Sequence, residues 1–409
     1  MKKNMNVDRE NRPGRAGRLI CLVVAVVLTA GLLSGLTACK PRQKLYIFNC
    51  GDYIDPGIIE EFEKEYPQYK VVYDTYDTNE TMYQKLVSTN TPYDILVPSD
   101  YMVSRLINEG RLKKIDMSKI TNYDKIKPEL KNKSYDPNNE YSVPYMWGTL
   151  GIIYNRELTG GDTIDSWDCL WDEKYKGSIL MLDSIRDTMA ISLIRLFGLD
   201  AINSTDPAQI EAAGKALEEQ KTLVAQYGVD DIKDPMIRGN YALCLEWSGD
   251  AYEIIGDSDA DLGYVVPKEG SNVWVDSMVI PAKSENTEGA LLFIDFMCRT
   301  DIAVKNAEYI GYSTPHMEAL NELGEEYIED EVFNPSSETL ARTMEFIDLG
   351  TDVMETYNKA WEKFRLTESV EEQSTNLAWL YIVIAVVVVG VIVFFVIRKK
   401  KRDKLRYSD

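Results

Sequence analysis

Two short stretches of the sequence combine a tryptophan with an aspartate, and together these residue types can bind a cation. In the segment NVWVDSMVIPA (272–282), Trp274 and Asp276 lie on one face of a predicted buried strand, because residues i and i+2 of a strand point to the same side. In the upstream segment LCLEWSGDAY, Trp247 precedes Asp250. An indole ring attracts cations, and a carboxylate pairs with an ammonium group. The pattern therefore favours a ligand that combines positive charge with an apolar body.

The sequence offers few residues for catalysis or metal binding. His316 is the single histidine, so histidine-based catalysis and histidine-rich metal sites are nearly excluded. No Gly-rich phosphate loop, nucleophile elbow or zinc signature is present. Any acidic protein contains glycosidase-type carboxylate pairs by chance, which makes an enzyme the weakest alternative. We therefore expect a binding protein without catalytic residues, cofactor or metal. The cysteines have neither CxxC nor metal-binding spacing and predict no disulfide framework: Cys21, Cys39, Cys50, Cys169, Cys244 and Cys298.

The net charge of the chain indicates which classes of binding partner are compatible with it. The 409 residues carry a net charge of −21, and both ends are basic, so the central part is more acidic still. A negative field of this size argues against nucleic acid as a partner and concentrates small cations near the surface. Solubility alone is the competing explanation for the bulk charge.

The elements that would position these residues alternate between strand and helix. LYIFN (45–49) and KVVYDTY (70–76) are predicted strands, and DPGIIEEFEKEYP is a predicted helix with Asp55 as its N-cap and Pro56 at its first position. A further strand is predicted at YDILVPSD (93–100). Such alternation predicts an α/β fold with a mainly parallel sheet, in which ligands bind beyond the carboxyl ends of the strands. Polar and aromatic groups follow the predicted strands in the segments CGDYI, PSDY, DSIRD, EWSGD and WVDS.

Two hydrophobic segments predict how the chain lies relative to a membrane. Residues 1–39 predict a basic signal peptide that ends in the lipobox LTAC, with lipid attached to Cys39. The alternative interpretation is a plain transmembrane anchor. Residues 377–397 contain no charge and predict a C-terminal transmembrane helix, preceded by a polar tether at 367–376. The basic tail, 398–409, predicts a cytoplasmic C-terminus and an extracytoplasmic ectodomain.

Several motifs together resemble one family. The segments NETMYQKL, YDILVPSDYMV, IDMSKITNYDKI, YDPNNEYSVPYMWGT, SWDCLWDEKYKGSILML, WVDSMVIPA and IGYSTP are similar to the spermidine/putrescine-binding component of polyamine ABC transporters, over about residues 44–360. The resemblance implies a two-lobed periplasmic-binding-protein (type II) α/β fold with a ligand cleft between the lobes. One lobe would comprise 44–148 and 275–319, and the other 149–274 and 320–366.

The resemblance also implies a set of ligand-binding residues. Carried over by position, these are Tyr53, Ser99, Tyr101, Asp187, Trp247, Trp274, Asp276 and Tyr312, while Asp52 and Asp250 resemble acidic positions of the putrescine-preferring branch. Three positions depart from the family. Cys50 replaces a tryptophan, Ser184 replaces an acidic residue for which Asp183 could substitute, and Ile347 replaces a glutamine. Polyamine binding is therefore expected, whereas the preferred polyamine is left open.

The resulting expectation is a membrane-anchored, extracytoplasmic receptor that delivers putrescine or spermidine to the permease and ATPase subunits of an ABC transporter. Two alternatives keep the binding role. The protein would be either a single-pass polyamine sensor or a protein of the same fold that binds a different small cationic solute.

Overall fold

The computed structural model describes residues 41–89, 91–366, 381, 383–386 and 388–389. Ten strands within these residues form one sheet in the order β2-β1-β3-β9-β4-β7-β5-β6, with β10 paired to β9 and β8 paired to β4. The strands are β1 Gln43–Cys50, β2 Tyr69–Tyr76, β3 Ile95–Leu96, β4 Ser142–Asn155, β5 Ile179–Leu182, β6 Val224–Gly228, β7 Leu243–Trp247, β8 Leu262–Val265, β9 Ser271–Val279 and β10 Thr343–Met344.

Thirteen α-helices of the described residues connect and cover these strands. They are α1 Pro56–Glu65, α2 Asn79–Ser88, α3 Asp100–Asn108, α4 Ile185–Phe197, α5 Pro207–Lys221, α6 Lys233–Ile237, α7 Ser248–Asp257, α8 Thr287–Met297, α9 Thr300–Ile310, α10 Met317–Leu323, α11 Glu325–Glu329, α12 Ser337–Leu340 and α13 Gly350–Arg365.

The first elements follow the local rules that predicted them. Helix α1 begins at Pro56, and the Asp55 Oδ1 atom accepts a hydrogen bond of 2.8 Å from the Gly57 amide, which satisfies one free donor of the first turn. Its apolar face, Ile58 and Phe62, is fully buried. The predicted strand at 93–100 is shorter than expected, since β3 has only two residues and ends before Pro98, which has no amide hydrogen to donate to a sheet.

The sheet is parallel on its two flanks and in the short pairing of β10 with β9. Strand β1 pairs in parallel with β2 and β3, and β5 pairs in parallel with β6 and β7. The central strands β4 and β9 run antiparallel to each other and to their neighbours β7 and β3. The prediction of a mainly parallel sheet is therefore wrong at the centre, where two long strands pass between the flanks.

These two central strands join two lobes. The first part of β4 pairs with β9, and its second part pairs with β7 and β8. The flank β1–β3 thus lies on one side of β4 and β9, and the flank β5–β7 on the other. The two-lobed α/β part of the predicted fold is confirmed, and the exact lobe boundaries stay a prediction.

Each lobe has a packed core that fixes the ends of its strands. In the first lobe, Leu45 and Ile47 of β1 pack with Phe62 and Phe293. In the second, β5 and β7 are buried, and helices α4, α5 and α13 form a separate apolar cluster on the outside. Burial of one large apolar side chain stabilises a fold by about 1.5–3 kcal/mol. The strand ends between the lobes are therefore held by rigid scaffolds.

The predicted transmembrane helix at 377–397 requires a correction. No helix within the described residues is long and apolar enough to cross a membrane. The longest helix named above, α13, has 16 residues, whereas about 20 apolar residues are needed to span the hydrocarbon core. Of the predicted segment, the structure describes 381, 383–386 and 388–389 as helical. The predicted signal peptide with Cys39, the tether and the basic tail lie outside the described residues, at 1–39, 367–376 and 398–409.

Candidate functional site

A cavity lies between the lobes, where the ends of strands from both lobes converge. Its empty volume is about 800 Å³, including the part open to solvent, which is within the range of small-molecule sites. All ten binding residues predicted from the sequence line it: Asp52, Tyr53, Ser99, Tyr101, Asp187, Trp247, Asp250, Trp274, Asp276 and Tyr312. They come from segments that are far apart in the chain, so the fold brings together what the motifs suggested separately.

Asp276 on β9 is one of two buried aspartates that line the cavity. Its Oδ2 accepts a hydrogen bond of 2.7 Å from the Tyr53 hydroxyl, and its Oδ1 accepts one of 2.6 Å from the Ser99 hydroxyl. The residue is 7% exposed. Burial raises the pKa of Asp276 to about 6, although the two hydroxyl groups oppose this shift by stabilising the anion. A bound cation would supply the counter-charge that the described residues around Asp276 do not.

Aromatic rings surround this carboxylate. Trp274 lies on the same face of β9, with its ring centroid 5.6 Å from that of Tyr312, and Tyr312 contacts Tyr53 edge-to-face at 4.9 Å. Two glycines make room for these rings. A Cβ atom on Gly148 would lie 2.7 Å from the Trp274 ring, and one on Gly249 would overlap the Tyr312 ring. The wall therefore depends on glycine at both positions.

A second buried carboxylate lies at one end of the cavity. The Asp187 Oδ2 atom accepts a hydrogen bond of 2.6 Å from the Ser184 hydroxyl, and burial raises the pKa of Asp187 to about 6. Nearby, Glu80 accepts a hydrogen bond of 2.9 Å from the Tyr101 hydroxyl. The Arg186 guanidinium lies 4.8 Å from the Tyr101 ring centroid, so this end has one internal cation behind its lining residues.

The other end of the cavity carries four carboxylates. Asp52, Asp77 and Asp230 are exposed, and Asp250 is half-buried. The Asp250 Oδ2 atom accepts a hydrogen bond of 2.6 Å from the Tyr312 hydroxyl. Partial desolvation at the cavity wall and the neighbouring Asp250 raise the pKa of Asp230, while the Lys233 charge opposes this shift. This end is therefore strongly negative and open to solvent.

The lining residues have charge of one sign only. Seven of them are Asp or Glu, and none of the described residues that line the cavity is Lys, Arg or His. Exposed carboxylates at a cleft mouth attract cations from solution, and the buried ones beyond them bind those cations more strongly because less water screens them. The arrangement can hold an aliphatic polycation, with rings along its methylene groups and carboxylates at its charged ends.

The three positions at which the sequence departs from the family pattern lie in different places relative to the cavity. Cys50 lines the cavity, and burial raises the pKa of its thiol, which keeps it uncharged. Ser184 also lines it and hydrogen-bonds Asp187. Ile347 does not line the cavity and is 49% exposed. Asp183 is not a substitute acid for the cavity either, because it forms an ion pair with Arg365.

The sequence reasoning missed several lining residues. Asp77 directly follows β2, and Asp230 lies two residues after β6. The rule that ligands bind beyond strand ends could have found both of them. Glu80 lies within the motif NETMYQKL, in the first turn of α2, and no rule applied to the sequence singled it out. No sequence pattern indicated Phe346, because it follows β10, a strand of two residues that is too short to predict.

Comparison with known proteins places the chain in a family. Residues 57–334 match the family model of the bacterial extracellular solute-binding proteins. The chain belongs to this family. The spermidine/putrescine-binding periplasmic protein of Salmonella typhimurium is 39% identical over 343 residues, which cover 83% of this chain and 97% of the relative. The protein of the same name from Escherichia coli K12 is 40% identical over 318 residues, covering 77% and 90%.

A solved structure agrees with these relatives. The spermidine/putrescine ABC transporter substrate-binding protein of Streptococcus pneumoniae has a TM-score of 0.67 and 38% identity, and the match covers 80% of this chain and 99% of that one. The resemblance inferred from the motifs is thereby confirmed. The prediction of a binding protein rather than an enzyme is confirmed as well, because the family is one of solute-binding proteins.

Proposed function

We propose that this solute-binding protein is an extracytoplasmic polyamine receptor that delivers putrescine or spermidine to an ABC permease. The observation that carries the proposal is the lining of the cavity, which combines seven carboxylates with tryptophan and tyrosine rings and includes no cationic side chain. Polyamines have ammonium groups separated by short methylene chains. Carboxylates pair with the ammonium groups, and a ring beside a cation contributes about 0.5–2 kcal/mol.

The ten predicted lining residues act in two ways in this proposal. Asp187 and Asp276 bind ammonium groups in the buried part of the cavity, and the hydroxyl groups of Ser99 and Tyr53 orient Asp276. Trp274 and Tyr312 pack along the methylene chain. Trp247 and Tyr101 extend the wall, and Asp52 and Asp250 lie at the more open end.

Isothermal titration calorimetry of the full chain tests the proposal. The ligands are putrescine, cadaverine, spermidine and spermine, in a buffer without amines. The matched control ligand is 1,4-butanediol, which has the carbon chain of putrescine without its charges. We expect saturable binding of at least one polyamine and none of the diol. Absence of binding for all four polyamines, or equal binding of the diol, would overturn the proposal.

The relatives' names also support a location and partners for this chain. Both curated relatives are called periplasmic, and the Streptococcus pneumoniae protein is called an ABC transporter component. We therefore propose that the receptor docks on a permease with its ATPase. The lipobox LTAC supports the further proposal that lipid on Cys39 retains the protein at the membrane. Radioactive palmitate should label the parent protein and not Cys39→Ala. Undiminished label in Cys39→Ala would contradict the lipidation.

A further inference from the structure

One carboxylate at the open end of the cavity already has an internal ammonium partner. Lys233, the first residue of α6, is 7% exposed. Its Nζ donates a hydrogen bond of 3.0 Å to the Asp250 Oδ1 atom and lies 2.5 Å from the Glu253 Oε2 atom. The second oxygen of Asp250 is held by the Tyr312 hydroxyl. Both oxygens of this lining carboxylate are therefore occupied by protein groups.

The Lys233 ammonium is charged under all conditions relevant to binding. Burial disfavours the charged form, but Asp250 and Glu253 outweigh that cost and raise the pKa of Lys233 above its ordinary value. Lys233 itself does not line the cavity. It therefore adds a fixed positive charge directly behind a carboxylate that would otherwise attract an ammonium group of the ligand.

The other carboxylates at this end form no ion pair within the described residues, although the Lys233 charge also opposes the rise in the pKa of Asp230. No ion pair is formed by Asp52, Asp77 or Asp230 among the described residues, and Asp276 and Asp187 are held by hydroxyl groups. Asp250 thus differs from the other lining carboxylates in forming an ion pair within the described structure, although the Arg186 charge also acts on Glu80. If Lys233 served only to join α6 to α7, its ion pair with Glu253 would be sufficient for that purpose. Glu253 is less buried than Asp250 and does not line the cavity.

We propose that Lys233 is a specificity-determining residue that limits how many ammonium groups the cavity accepts by neutralising Asp250. The inference rests on the proposed polyamine function and deepens it. A fixed positive charge weakens the binding of every polyamine, and the penalty grows with the charge of the ligand, because Coulomb energy is proportional to that charge. Lys233 accordingly favours polyamines with fewer ammonium groups over those with more.

The test compares ratios of affinities rather than single affinities. Calorimetry at pH 8, where the carboxylates are ionised, measures the dissociation constants of putrescine, spermidine and spermine for the parent and for Lys233→Met. We expect the gain in affinity to increase by roughly threefold for each additional ligand charge, as Coulomb attraction in a partly solvated site predicts. Lys233→Gln serves as a second neutral variant that keeps a hydrogen-bond donor for Asp250.

Two control variants separate charge from structure. Lys233→Arg keeps the positive charge and should keep the parent's ratios. Lys268→Met removes a lysine charge from an exposed ion pair with Asp165, away from the cavity lining, and should also leave the ratios unchanged. A structural defect would weaken all three ligands by the same factor, and circular dichroism would reveal it.

The outcomes distinguish this inference from the proposed function. If the parent binds no polyamine, both fail. If the parent binds polyamines and both neutral variants keep the parent's ratios, the role of Lys233 is refuted while the polyamine function stands. If Lys233→Arg changes the ratios as much as Lys233→Met does, the effect is one of shape, and the inference is likewise refuted.

Discussion

Replacing Asp276 by asparagine should abolish tight binding and, at the same time, stabilise the ligand-free protein at neutral pH. The substitution removes the charge but keeps the size of the side chain and one acceptor for the hydroxyl groups of Ser99 and Tyr53. Removal of one member of a buried charged pair costs about 2–5 kcal/mol of binding energy. At ~1.4 kcal/mol per decade, we expect a loss of roughly 30-fold to several thousand-fold in affinity.

The gain in stability follows from the raised pKa. Burial raises the pKa of Asp276 from 3.8 to about 6, so the folded protein binds a proton that the unfolded chain releases between these two values. Stability contributed by this group is present below pH 4 and is lost as pH rises through 6. At ~1.4 kcal/mol per pKa unit, the ionised carboxylate destabilises the ligand-free protein by about 3 kcal/mol above pH 7. Asparagine lacks that charge.

Urea unfolding of the parent and Asp276→Asn at pH 7.5 and at pH 4 measures this effect. We expect the variant to be more stable by about 1–3 kcal/mol at pH 7.5, because part of the gain is lost to a less suitable hydrogen-bonding group. At pH 4 the parent carboxyl is protonated in the fold, so the advantage of the variant should be smaller by about 2 kcal/mol. The variant should then be as stable as the parent or less stable, because the cost of the less suitable hydrogen-bonding group remains.

A matched control is Asp94→Asn. Asp94 is 2% exposed and accepts hydrogen bonds from the Tyr46 amide and the Ser284 hydroxyl, but it does not line the cavity. Its replacement should cost stability and leave polyamine affinity unchanged. If Asp276→Asn behaves like Asp94→Asn, with parental affinity and reduced stability, Asp276 is a structural carboxylate and the proposed site is wrong.

Three further predictions concern the same cavity. Trp274→Leu should weaken binding by about 2- to 30-fold in calorimetry, less than Asp276→Asn, because the wall stays apolar and mainly the cation–π attraction is lost; a larger loss than for Asp276→Asn would refute this ranking. Polyamine affinity should fall as pH is lowered through 6, because Asp276 and Asp187 become protonated there while the ligand's ammonium groups stay charged. Just above pH 7 the affinity should be level. An affinity independent of pH between 5 and 7 would contradict the assignment of these two aspartates as ligand-binding carboxylates. Gly249→Ala should reduce affinity at least about tenfold, because its Cβ would displace the Tyr312 ring and disturb the hydrogen bond to Asp250. The control is Gly256→Ala in the same helix, whose Cβ meets open space and should not change the affinity. Equal affinities of the two variants would show that the ring position is unimportant.

Part of the binding site could be predicted from local signals, and the remaining predicted residues came from the resemblance to the polyamine-binding family. The period of two in a strand is enough to place Trp274 and Asp276 on one face, and both line the cavity. The start of α1 at Pro56 follows from Asp55 and Pro56 alone. Strand direction in the centre of the sheet was predicted wrongly, because it depends on residues that are far apart in the chain. The direction of β4 and β9 is a property of their neighbours in the sheet, and a pattern of alternating strands and helices does not contain it.

The sequence by itself determined the class of ligand site, an acidic and aromatic one in an α/β binding protein, because residue type and strand period can be read along the chain. The tertiary structure decided which polar groups meet. The hydroxyls of Ser99 and Tyr53 reach Asp276 from positions 177 and 223 residues away. Lys233 reaches Asp250 from another helix, whereas Asp183, next to a family position, pairs with Arg365 instead. Such contacts depend on how separate elements pack, and only the fold specifies that packing.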